Sequence, residues 1–146
     1  MATFSRNVTV NWEGSLMDGQ GQAKAGSGAF TLPVSFKRRV GDAEGQTSPE
    51  ELIAAAHAAC YAMALNATVG RKGGSIAKTE VTATVTADKG DAGIKLTTSK
   101  LKVVATGLQG IEKSQFAEVA KEAEGKCPIS SALRGNLQID VEAIAN

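Results

Sequence analysis

The stretch "TSPEELIAAAHAACYAMALNATVG", Thr47 to Gly70, decides how the rest of the chain is read. Ser48 suits an N-cap, Pro49 the first helical position and Glu51 the third. Together they form a capping box of the S-x-x-E kind, which satisfies N–H groups left open at a helix start. From Leu52 to Val69 the helix is apolar or small on every side, with eight alanines. A helix apolar all round belongs in the middle of a structure, and the glycines of "GRKGGS" end it. Yet this core helix carries a thiol, Cys60, two carboxylates at its mouth, Glu50 and Glu51, and the chain's only histidine, His57. Packing alone explains none of these.

Upstream, the chain reads as strands. Val8, Val10 and Trp12 alternate with Thr9 and Asn11, the period of a half-buried strand. With "MDGQG" as the turn, Thr3–Glu13 and Gln22–Lys24 form a hairpin. "GAFTLPVSFKRRV" reads as a further strand, with Pro33 at an edge or a bend, and "GDAEGQT" as a loop. Downstream, Val81, Ala83, Val85 and Ala87 alternate with threonines, "DKGDAG" turns, and Ile94 and Leu96 share a face. The apolar parity changes by Leu101, Val103 and Ala105, which predicts a bulge near Ser99 or Lys100. Phe116, Val119, Ala120 and Ala123 predict a helix over Glu112–Glu124. A short helix starts at Pro128, and Leu137, Ile139 and Val141 mark a closing strand. No linker or repeat interrupts residues 1–146, so the reading is one α+β domain.

At 146 residues, 42% apolar and a formal charge of +1, the chain is long enough to bury a core without staples. It shows neither the basic surface expected of a nucleic-acid binder nor a polybasic membrane surface. "MATFSRNVTV" lacks the pattern of a signal peptide. The long helix is close to spanning length but interrupted by His57 and Asn66, and is read as buried in protein. Two cysteines are too few for a disulfide scaffold, and with one histidine too few for a four-ligand zinc site. In a reducing cytoplasm, a pair that does form serves chemistry.

Cys60 alone could be an inert core thiol. Cys127 changes that, because it precedes Pro128 and so sits at a helix N-terminus, beside Lys126, where a thiol becomes reactive. Glu51 is assigned to the capping box, which leaves Glu50 as the candidate to orient a cation, and "KRR", Lys37–Arg39, offers one. Only arginine presents a planar fork that can bind a carboxylate and still direct N–H groups at sulfur or oxygen. His57, three residues before Cys60, is read as a packing or supporting residue rather than a base. Tyr61, Met63 and Phe36 are either apolar lining or plain core.

"SPEELIAAAHAAC" followed by "GKCPISSAL" closely resembles the OsmC/Ohr family of thiol-dependent hydroperoxide reductases, in its OsmC branch, and the likeness extends to "VNWEG" and "DKGDAG". The resemblance implies an α+β fold with antiparallel sheets around a long buried central helix, in an intertwined homodimer with active sites at the subunit interface. It implies a peroxidatic cysteine at Cys60, a resolving cysteine at Cys127 and a paired glutamate at Glu50. An activating arginine is implied in the strand before the helix. Alignment on that strand's phenylalanine gives Arg39, while the length of "VGDAEGQT" leaves Arg38 as the alternative. The implied activity is reduction of organic hydroperoxides, and more weakly hydrogen peroxide, in oxidative and osmotic stress defence. An external dithiol, in this family a lipoylated protein, would serve as reductant, and no metal, flavin or haem is needed. The remaining alternatives are a dithiol sensor or binding module without turnover, and a Cys–His acyl hydrolase using His57.

One geometric expectation follows from helix arithmetic. Glu50 and Cys60, ten residues apart on one helix, are separated by about 15 Å along its axis. An arginine held by Glu50 of the same chain would struggle to reach that sulfur. If two such helices pack antiparallel through their alanines, Glu50 and Arg39 of one subunit complete the site around Cys60 and Cys127 of the other.

Overall fold

Alternation of Val8, Val10 and Trp12 does build a strand, β1 (Val8–Glu13), in the computed structural model, which describes Met1–Asn146. Two compact units make up the chain, Met1–Pro49 and Glu50–Asn146. In the first, β1 pairs antiparallel with β2 (Gln20–Ala25), and β2 with β3 (Thr31–Val34), in the order β1-β2-β3. Gly14, at φ +90°, opens the β1–β2 connection in a conformation that a side chain would strain. Pro33 lies on an edge strand, where its missing N–H does no harm.

The strand expected to run on through "SFKRRV" instead stops at Val34. Ser35 caps a short helix, α1 (Phe36–Val40), its Oγ accepting from the Arg38 N–H at 3.4 Å and donating to Gln46 Oε1 at 2.8 Å. The arginines therefore sit on a helix, not a strand, because the Ser35 side chain caps a helical turn as soon as the strand ends at Val34. The apolar side of β1 is open rather than half-buried: Val8, Val10 and Trp12 keep 51%, 54% and 40% of their surface.

The second unit begins with the long helix, α2 (Pro49–Arg71), its bounds close to those expected. Only one stripe of it is buried: His57, Tyr61, Leu65, Thr68 and Val69, at the i, i+4, i+8 spacing of a single face. The opposite side is not covered by this chain; Ala55, Ala56, Ala59, Asn66 and Ala67 are exposed, and Met63 retains 74% of its surface. The all-round burial expected is thus half met. By length and composition α2 is also long enough to cross a membrane, but its inward stripe is committed to this unit's core.

That core is completed by β4 (Ser75–Gly90) and β5 (Gly93–Gln109), a long antiparallel pair, and by β6 (Gln138–Ala145), which joins β5 in parallel. The second sheet is therefore mixed: a crossover carrying α3 (Phe116–Gly125) and α4 (Pro128–Leu133) brings the chain back alongside β5. The predicted bulge exists, but earlier. Register shifts between Thr86 and Ala87 so that Thr97 is the extra residue, its hydroxyl donating to Thr86 O at 3.3 Å. From there inward positions fall on Ser99, Leu101, Val103 and Ala105, all buried. A 3-10 turn, Lys113–Gln115, leads into α3, whose Phe116, Val119, Ala120 and Ala123 pack inward as their spacing predicts. Burying side chains of this size stabilises by about 1.5–3 kcal/mol each for Leu101 or Phe116.

Candidate active site

Cys60 lies midway along α2, and Cys127 is the N-cap of α4; their sulfurs are 3.1 Å apart. Both are free thiols. A disulfide needs S–S of about 2.05 Å, so closing by about 1 Å would join them. They differ in access: Cys60 is half-buried, whereas Cys127 keeps 1% of its surface.

The first turn of α4 serves both sulfurs. The backbone N–H of Ser130 points at Cys127 Sγ at 3.5 Å, and that of Ile129 is directed toward Cys60. Burial pushes the Cys60 thiol above its usual range and its thiol neighbour adds to this, while the Ile129 N–H pulls the other way. Taken together these surroundings favour the thiol form of Cys60 over the thiolate. Lys126, expected to assist Cys127, is turned elsewhere: its ammonium bonds Glu122 at 2.7 Å, and Lys72 holds the other oxygen of that carboxylate at 2.9 Å.

His57 is fully buried with both ring nitrogens engaged, Nδ1 with Ser99 Oγ and Nε2 with Ser130 Oγ, each at 2.7 Å. Burial lowers its pKa, with Glu124 opposing, which favours the neutral ring. Neither nitrogen is left for a thiol, which removes the structural basis for a Cys–His hydrolase. Its serine partners were missed in the sequence. The available signal was Ser99, a polar residue at the parity of Leu101, Val103 and Ala105.

Tyr61 is core: its hydroxyl donates to Ala120 O at 2.8 Å, and burial raises its pKa. Met63, by contrast, faces outward. Glu50 stands in the first turn of α2, ten residues before Cys60 and about 15 Å away along the axis. Arg38 and Arg39 are on α1, in the first unit. Arg38 is bound to the Glu44 carboxylate and donates to Asp42 O at 3.4 Å. No group of three or more His, Cys, Asp or Glu side chains gathers to hold a metal ion.

A half-buried helix thiol in contact with a buried helix-capping thiol, on an α+β scaffold, is an arrangement able to carry dithiol redox chemistry. The chain belongs to the OsmC/Ohr family: the OsmC-like protein family model matches residues 41–142. It is 36% identical over 141 residues to peroxiredoxin OsmC of Escherichia coli (strain K12), covering 96% of this chain and 97% of that one. It is 39% identical over 101 residues, 68% of each chain, to organic hydroperoxide resistance protein OhrA of Bacillus subtilis (strain 168). The crystal structure of OhrB of Bacillus subtilis aligns with TM-score 0.71 at 26% identity, covering 94% of this chain and 97% of that one.

Proposed function

We propose that this protein is a thiol-dependent peroxidase that reduces organic hydroperoxides, with hydrogen peroxide a poorer substrate, in the cytoplasm under oxidative or osmotic stress. The observation that carries the reading is the 3.1 Å contact between two sulfurs of unequal access. The accessible one meets peroxide; the buried one can meet only its neighbour.

Cys60 as thiolate attacks the O–O bond. The sulfur takes one oxygen to become sulfenic acid, and the other leaves as alkoxide, which is protonated to alcohol. Cys127 then attacks the sulfenic sulfur, forming the disulfide and releasing water. An external dithiol, a lipoylated protein being the family's expectation, reduces the pair by exchange and leaves oxidised. Arg39 supplies a cation beside Cys60 and stabilises charge on the leaving oxygen, while Glu50 fixes the guanidinium. Alignment on the phenylalanine before the helix, rather than any difference in partners, assigns the role to Arg39 over Arg38. The separation of Glu50 from Cys60 along α2 and the uncovered face of that helix support a homodimer in which each subunit's Glu50 and Arg39 complete the partner's site.

Counting peroxide tests the reading. With cumene hydroperoxide in excess and a regenerating dithiol, the protein consumes many equivalents per chain. Consumption that stops at one equivalent would instead identify a sensor.

A further inference from the structure

From the His57 hydrogen bonds we infer that this residue is a positioning residue for the resolving step: with Ser99 and Ser130 it holds the first turn of α4 where both sulfurs need it. The inference rests on the peroxidase reading above.

Three elements meet at one imidazole. His57 stands on α2, Ser99 on β5 just past the Thr97 bulge, and Ser130 in the first turn of α4. All three side chains are fully buried, and no buried polar side-chain atom of the chain lacks a partner. A hydrogen bond inside a dry core is costly to lose, because the abandoned partner cannot turn to water. The strut therefore ties α4 to both the helix bearing Cys60 and the central strand of the sheet.

What it positions is chemical. Ser130 and Ile129 are adjacent, and their N–H groups are the ones directed at Cys127 and Cys60. α4 has only six residues, so whatever fixes its first turn fixes both of these N–H groups. A small displacement of that turn moves Cys127 from the sulfur it must attack, and reactions of this kind are steep in distance.

After the first step, Cys60 sulfenic acid has two fates. Cys127 converts it to the disulfide with loss of water. Alternatively a second hydroperoxide oxidises it to sulfinic acid, itself becoming alcohol, and the enzyme is lost. The strut determines the partition by keeping the first route fast.

The test is the sulfinic acid formed at Cys60 per peroxide consumed, read by mass spectrometry of the full-length protein during turnover with cumene hydroperoxide and a dithiol. Ser130→Ala should raise this ratio about tenfold, the scale of one lost buried hydrogen bond. Ser99→Ala should raise it less, and serves in its place if Ser130→Ala does not fold. Val69→Ala, a core truncation on the same helix away from the strut, should lower stability and leave the ratio unchanged. An unaltered ratio in the folded serine variants, or an equal rise in Val69→Ala, overturns the inference. Absence of turnover in the wild-type protein would instead overturn the peroxidase reading.

Discussion

His57 shows how one side chain links the site to pH. Its folded pKa lies below the ordinary 6.5, chiefly through burial, with the Glu124 carboxylate pulling the other way. Between the lowered folded value and 6.5, the unfolded chain binds more protons than the folded one, so stability rises with pH across that interval. The contribution is fully present above 6.5 and is lost as pH falls through the folded value. We expect chemical denaturation to show stability falling below pH 6.5, with a slope approaching about 1.4 kcal/mol per pH unit at most. His57→Gln should be less stable at pH 7 yet lack that slope. An equal slope in the variant would assign the titration to another group. At this scale Cys60, Cys127 and their pairing were legible, because a thiol in an alanine-rich helix and a thiol before a helix-starting proline are both unusual. The strut was not: Ser99 and Ser130 lie 42 and 73 residues from His57, and only the fold brings them together.

Among the elements, α2 was read best and also exposes most. Its capping residues and closing glycines located it closely, since local signals govern helix ends. Its apolar composition could not say which face this chain covers and which it leaves bare. Met63, on the bare side, discriminates between packing within the chain and packing between chains. Met63→Lys should keep the helical content of the protein, shift sedimentation from dimer toward monomer and reduce turnover with it. A variant that stays dimeric and fully active would place the subunit contact elsewhere. The elements misread share a cause. The short helix Phe36–Val40 reads as strand in the sequence because five residues show too little periodicity to separate the two. The bulge at Thr97 lies two residues before Ser99, because parity reveals a change without its exact site. The parallel pairing of β6 depends on a crossover that no local pattern encodes.

For the molecule as a whole, the site as proposed needs two copies. Cys60→Ser and Glu50→Ala are each expected to be inactive, but a heterodimer of the two would contain one whole site. After confirmed subunit exchange at equal concentrations, activity should recover to roughly a quarter of wild type, as random two-fold pairing requires. No recovery would show that the site is built within one chain. The central claim is narrower: Cys60 attacks peroxide and Cys127 resolves it. It is tested most directly by adding cumene hydroperoxide without reductant and measuring the equivalents consumed and the oxidation state of the remaining cysteine. Cys127→Ser should consume its first equivalent and stall with Cys60 as sulfenic or sulfinic acid, while Cys60→Ser should consume none. If Cys60→Ser takes the first equivalent and Cys127→Ser does not, the two roles are reversed and the account is contradicted.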